Sequence, residues 1–167
     1  MKRIITLIDN KNTDSVKSSY SAHEMLKAYY PYLHLQSMNH AFLAEFTNNP
    51  KDGAVRIKGV SIIFQGNLFY KDRQASDENY ILSLYNRHKN FSFLRQLNGS
   101  FNFLLYDNKK GKLYVVSDKY ASRPLYWSYN RNKFIAASEV NIILSTLKSK
   151  QRINWSAWGQ YLTYRYT

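Results

Sequence analysis

The chemistry available to this chain is defined first by a missing group: none of its 167 residues is a cysteine. Thiolate nucleophiles, thiolate metal sites and disulfides are therefore excluded, and a reducing compartment such as the cytosol is compatible with the composition. The four histidines, His23, His34, His40 and His88, are scattered without metal-ligand spacing and read as surface or packing residues. Gly53 and Gly59 lack the spacing of a phosphate loop, and neither G-K-[ST] nor a G-x-S-x-G nucleophile elbow occurs. Composition alone leaves a Ser-His-Asp arrangement open. Asp77 and Glu139 each follow a serine at an expected helix start, where a side-chain oxygen serves the free backbone N–H groups.

The formal charge is +13, from 24 Lys and Arg against 11 Asp and Glu. Such a surplus raises nonspecific affinity for acidic surfaces. The charges are dispersed over expected loop tips, as at Lys109, Lys110 and Lys112 or Arg131 and Lys133, with no dense run and no recognition-helix pattern. A dedicated nucleic-acid surface is the weaker reading. Fifteen Tyr and nine Phe could stack bases, but such residues more often fill cores and strand faces. No segment has the length of a membrane span, and the start M-K-R-I-I-T-L-I-D is interrupted too early for a signal peptide. The expectation is a cytoplasmic chain.

The elements that must position any site follow from periodicity. Arg3–Ile8, Leu33–Gln36, Ala41–Phe46 and Ala54–Ile57 read as short strands, and the apolar run Val60–Phe64 as a buried one. Ser21 and Glu24 form a capping box for a helix over Ala22–Tyr30. Asp77 opens a second helix with Tyr80, Ile81, Leu84 and Tyr85 on one face. A short helix around Phe91–Leu97 stops at Asn98-Gly99. Hairpins follow: Phe101–Tyr106 with Leu113–Ser117, then Leu125–Tyr129 with Phe134–Ala137 around Asn130-Arg131-Asn132. Glu139–Leu147 and Trp155–Tyr164 read as helices. Pattern alone gives an α+β class.

The order of these segments carries a resemblance. V-S-I-I-F-Q-G-N-L-F-Y (Val60–Tyr70), S-D-E-N-Y-I-L (Ser76–Leu82), L-N-G-S-F-N-F-L-L-Y-D (Leu97–Asp107), D-K-Y-A-S-R-P-L-Y (Asp118–Tyr126) and A-A-S-E-V (Ala136–Val140) occur in order and spacing. Together they resemble the glutamine-hydrolysing N-terminal domain of the asparagine synthetase family, the class II glutamine amidotransferases. The resemblance implies a four-layer αββα sandwich of two antiparallel sheets, the N-terminal-nucleophile hydrolase arrangement. It is strong over Val60–Leu144 and loose before it.

That family hydrolyses glutamine with a cysteine directly after the initiator Met, the chain's own α-amine acting as base. Here Lys2 stands at that position, and a long side chain there usually blocks removal of Met1. An arginine in H-x-R-L grips the substrate carboxylate in the family; His40-Ala41-Phe42-Leu43 places Phe42 at that point. The family's N-G-E, which supplies the oxyanion hole, becomes Gln65-Gly66-Asn67. Asp77 is retained where the family binds the α-ammonium, beside its structural reading as a helix N-cap. Ala121 stands where a glycine is usual. The catalytic set is empty, and Phe42, Gln65, Gly66, Asn67 and Asp77 are the degenerate pocket positions.

Residues 1–147 are read as the amidotransferase-like domain. Residues 148–167 are read as a linker and helix that would lead into a synthetase domain absent from this sequence, and ATP and Mg would belong there. No cofactor or metal is expected in this chain. The leading expectation is a catalytically silent domain of an asparagine-synthetase-type, ATP-dependent amide-forming enzyme, a scaffold or docking partner like the N-terminal domains of β-lactam synthetases and lasso-peptide cyclases. Its partner would be a synthetase domain, or a second copy, met through Trp155–Tyr166. Two alternatives remain: an active amidohydrolase with another nucleophile, and a basic anion- or nucleic-acid-binding module.

Overall fold

The computed structural model describes residues 2–9, 24, 27–38, 41–69, 75–88, 90–130, 133–147 and 152–165. Of the expected helix over 22–30, residues 22, 23, 25 and 26 fall outside these residues and 27–29 form a turn instead; the turn residues 131–132 also fall outside. Among the described residues nine strands form two antiparallel sheets. The five-stranded sheet has the order β2-β3-β1-β9-β8, with β1 Lys2–Asp9, β2 Tyr32–Met38, β3 Ala41–Thr47, β8 Tyr126–Asn130 and β9 Lys133–Ala137. The four-stranded sheet is a meander, β4-β5-β6-β7, with β4 Val55–Ile57, β5 Val60–Leu68, β6 Gly99–Asp107 and β7 Lys112–Ser117. Helix α1 spans Asp77–His88, a 3-10 turn covers Ser92–Gln96, α2 spans Val140–Leu147 and α3 spans Trp155–Tyr164.

Strand alternation sorts the apolar residues into three cores. On β6, Phe101, Phe103 and Leu105 pack beneath Ile81, Leu82 and Tyr85 of α1. Leu104, from the opposite face of β6, meets Ile63, Ile4 and Leu43 between the sheets. Outside the five-stranded sheet, Ile5, Phe42, Ala44 and Ile135 pack against Ile142 and Ile143 of α2. The layers therefore run α1, meander sheet, five-stranded sheet, α2: the expected αββα sandwich. Among the described residues no helix is long and apolar enough to cross a membrane.

Several local readings change. β5 continues past Phe64 to Leu68, because Gln65-Gly66-Asn67 keeps pairing with β6 although it breaks the apolar run. Gly99 is not a helix stop but the first residue of β6; a Cβ there would lie 2.4 Å from the Asn67 carbonyl oxygen. Ser76, not Asp77, caps α1, its Oγ accepting from Asn79 N at 3.3 Å. Asp77 is the first helical residue, and its carboxylate accepts from Leu68 N at 3.2 Å, tying α1 to the end of β5. Ala121 has φ of 49°, a left-handed conformation that a Cβ disfavours, which explains why a glycine suits that turn.

The loop before β8 is held by one carboxylate. Asp118 accepts from the N–H groups of Phe101, Tyr120 and Ser122 and from the Ser122 hydroxyl, at 2.9 to 3.2 Å. Burial alone would raise its pKa, but these donors prevail and hold it below the usual carboxylate range. Asp107 does similar work at the β6–β7 turn, accepting from Tyr85 Oη at 2.8 Å and from the N–H groups of Lys109 and Lys110.

Candidate active site

The site lies where β1 begins. Even-numbered residues of β1 face the other sheet, as Ile4 does, so the Lys2 side chain enters the space between the layers. Its Nζ lies 3.1 Å from Glu45 Oε1, 3.4 Å from Glu78 Oε1 and 3.8 Å from Asp52 Oδ1. These carboxylates come from β3, the first turn of α1 and the loop before β4. Glu45 is wholly buried, with its side chain 1% exposed, and Oε2 has no hydrogen-bond partner among the described residues.

Three carboxylates around one ammonium set the electrostatics. Burial by itself would lower the Lys2 pKa, but the pull of Glu45, with Glu78 and Asp52 behind it, outweighs that and raises it. Lys2 is therefore a firmly protonated ammonium at neutral pH and has no lone pair for attack. Glu45 is raised chiefly by burial, which Lys2 only partly offsets. This corner is an ion-pair lock. Among the described residues no cluster of histidines and carboxylates is arranged to hold a metal ion.

The remaining positions divide. Gln65 is brought to Lys2: its Nε2 donates to the Lys2 carbonyl at 2.6 Å, while Oε1 is buried with no partner among the described residues. Gly66, next to it, has φ of 120°, and a Cβ there would lie 2.1 Å from the Ser100 carbonyl oxygen. Asn67, two positions on along β5, is exposed. Asp77 is engaged with the Leu68 backbone. Phe42 is a correction to the expected pocket. It lies on the opposite face of β3 from Glu45, 1% exposed in the core under α2, because adjacent strand residues point to opposite faces. The inward β3 residue that meets Lys2 is Glu45, three positions later.

Beyond Gln65 the sandwich opens into a cleft of about 620 Å³ bounded by the 118–126 loop and the start of α2. Here Ser138-Glu139 ties α2 to β1 instead of capping the helix. Ser138 Oγ accepts from Ile4 N at 3.0 Å, and Glu139 pairs with Arg3. Arg123 Nε donates to the Ser100 carbonyl at 3.1 Å.

The family model of the glutamine amidotransferase domain matches residues 65–145, the stretch that builds β5 through α2. A putative asparagine synthetase [glutamine-hydrolyzing] of Methanocaldococcus jannaschii is 33% identical over 89 residues, 52% of this chain and 17% of that protein. The chain carries an asparagine synthetase-type glutamine amidotransferase domain. Asparagine synthetase [glutamine-hydrolyzing] 2 of Bacillus subtilis is 25% identical over 107 residues, covering 58% of this chain and 14% of that one. Amidase chry2 of Gibberella zeae is 29% identical over 99 residues, 52% of this chain and 15% of its own length. The amidotransferase domain thus corresponds to under a fifth of each relative. In fold it is similar to the glutamine PRPP amidotransferase of B. subtilis, at a TM-score of 0.65 and 12% identity over 86% of this chain and 43% of that one.

The sequence reading missed Glu45, Asp52 and Glu78. A signal for one of them was present: Glu45 is the lone charge in the apolar run Ala41–Phe46, and a charge in a buried strand requires a partner.

Proposed function

We propose that this amidotransferase domain is catalytically silent and serves as a scaffold and docking module for an asparagine-synthetase-type synthetase domain. The observation that carries the proposal is the ammonium of Lys2, gripped by Glu45 at the position the resemblance assigns to the nucleophile. A protonated amine cannot take the role of a thiolate, and the carboxylates that keep it protonated would repel the carboxylate of glutamine. The purified chain should release no ammonia from glutamine, and a glutamine-analogue electrophile that labels N-terminal cysteines should leave its mass unchanged. Lys2→Cys should stay inactive as well. It would place a thiol among Glu45, Asp52 and Glu78, whose charge raises a thiol's pKa, with no other cation paired to them among the described residues. Steady ammonia release by the parent chain would end this reading.

Docking rests on α3. None of its residues is buried, and Trp155, Trp158, Tyr161, Leu162 and Tyr164 are each at least half exposed. Trp158 and Tyr161 stack at 6.2 Å between ring centroids, making a preformed aromatic surface. An uncovered apolar stripe of this kind marks an interface. The amide-forming chemistry, with ATP and Mg, would reside in the synthetase partner in the cytoplasm. The chain should self-associate in sedimentation experiments or bind a synthetase domain, and Trp158→Glu with Leu162→Glu should weaken that association at least about tenfold, as loss of a hot spot does. A monomer with no affinity for a synthetase domain would refute the docking role.

A further inference from the structure

We infer that the open edge of β8 is a docking site for an extended, acidic segment of a partner protein, which pairs with it as an added strand. This goes beyond the scaffold reading, because it concerns β8 and neither Lys2 nor α3. β8 ends the five-stranded sheet, so among the described residues it has a neighbour, β9, on one side alone. Alternate residues of an edge strand turn their N–H and C=O groups outward, ready to pair with another chain.

The outer strands of the two sheets are not equally guarded. β4 has only three residues, and among the described residues neither β4 nor β7 shows a large exposed apolar side chain, while β2 shows one, Tyr32. β8 shows three, Tyr126, Trp127 and Tyr129, and has none of the charges or prolines that blunt an edge. Their faces follow from the register. Ile135 and Ala137 point toward α2, so Phe134 and Ala136 of β9 point toward the meander sheet. Trp127 and Tyr129 stand opposite Ala136 and Phe134 and share that face, yet they are 69% and 66% exposed. The meander therefore stops short of β8 and leaves an aromatic ledge beside the open edge.

Charge sets the chemistry of the occupant. Lys and Arg are dispersed along the chain, but the acids are not. Residues 119–167, which include β8, hold eight Lys and Arg against one acid, Glu139, so under a third of the chain carries +7 of the total +13. Glu139 is itself paired with Arg3. Arg123 shares the wall of the cleft with Tyr126 at one end of β8, and Lys133 stands opposite Asn130 at the other. A second copy would bring the same positive charge to this edge, whereas an acidic strand meets it with the opposite sign. The open ladder selects an extended peptide over a nucleic acid, which has no amides to complete a sheet. Alternation then gives the peptide apolar side chains toward Trp127 and Tyr129, with carboxylates at the intervening positions.

The probe is an octapeptide of alternating Glu and Val, amidated and carrying fluorescein at its N-terminus. Anisotropy with the full chain should show saturable binding that weakens as salt rises. The same peptide N-methylated at every residue, and its counterpart of alternating Lys and Val, should each bind at least about tenfold more weakly. Trp127→Ala and Tyr129→Ala should each weaken binding at least about tenfold, as loss of an aromatic anchor does, with circular dichroism confirming the fold. Unlabelled peptide should shift the tryptophan emission to the blue. Trp127→Phe should abolish that shift, which places the peptide at β8 and not at Trp155 and Trp158 of α3. Absence of saturation would overturn the proposal, and so would full binding of the N-methylated peptide, the sign of adhesion by charge alone. Tighter binding of a thymidine oligonucleotide of equal charge, an emission shift that survives Trp127→Phe, or self-association abolished by Trp127→Ala would overturn it as well.

Discussion

Lys2→Met should destabilise the domain by about 3 kcal/mol at pH 8, the lower end of the cost of removing one partner from a buried ion pair. The lower end applies because the Lys2 side chain is 26% exposed, while that of Glu45 is 1% exposed. The substitution keeps the volume of the alkyl chain, so the loss is electrostatic. Glu45 would be left in the interior without its cation, with Asp52 and Glu78 beside it disfavouring its charged form further. The double variant Lys2→Met, Glu45→Gln should recover most of the stability, since it removes the stranded charge together with its partner.

The pH dependence has a definite sign. Glu45 already has a raised pKa from burial, and losing Lys2 removes the main influence that lowers it. A carboxyl group whose folded pKa lies above its unfolded value contributes stability below the unfolded pKa and loses that contribution as pH rises through the folded pKa. The defect of Lys2→Met should therefore shrink between pH 8 and pH 5. Urea unfolding at the two pH values measures it. A variant as stable as the parent at pH 8, or a defect that grows on acidification, would contradict the ion-pair account.

Gly66→Ala should be more damaging still, costing over about 4 kcal/mol or preventing folding. At φ of 120° a Cβ would lie 2.1 Å from the Ser100 oxygen and 2.8 Å from the Phe101 Cα. Both obstacles are backbone of β6, and β5 and β6 are central strands of the meander, so neither can yield without breaking their ladder. Gly59→Ala supplies the comparison. It also has positive φ, 84°, but a Cβ there meets nothing within 4 Å. Its cost should be confined to the backbone preference, about 1–2 kcal/mol. Equal unfolding midpoints for the two variants would show that the contact with β6 does not matter.

Much of this fold could be read from alternation. On β6 one face, with Phe101, Phe103 and Leu105, is covered by α1 and the other, with Leu104, by the second sheet, so the strand keeps a period of two. The site was less legible. In A-F-L-A-E-F both faces of β3 are buried, so the run is nearly continuous in apolar residues and its parity is hidden. Aligning Phe42 with a family arginine therefore told nothing of which way its side chain points. The partners of Lys2 lie 43, 50 and 76 positions away, at Glu45, Asp52 and Glu78, and only the tertiary fold brings them together. Asp77 looked like a cap because both a cap and a first-turn carboxylate favour that end of a helix; the bond to Leu68 N decides between them. The aromatic stripe of α3 could be read from its spacing, but not whether the domain would cover it.

The two sheets also differ in when they can form. In the meander every strand pairs with its neighbour in sequence, β4 with β5, β5 with β6 and β6 with β7. The other sheet has the first strand of the chain near its centre, paired on one side with β3 and on the other with β9, Ile5 against Ala137. Short loops close at lower entropic cost than long ones, so the meander under α1 is the natural early folding unit. β1 must wait for a partner that is synthesised near the end of the domain, its open edge exposed meanwhile to wrong pairing. Kinetically, this is a domain whose first-made strand is completed last.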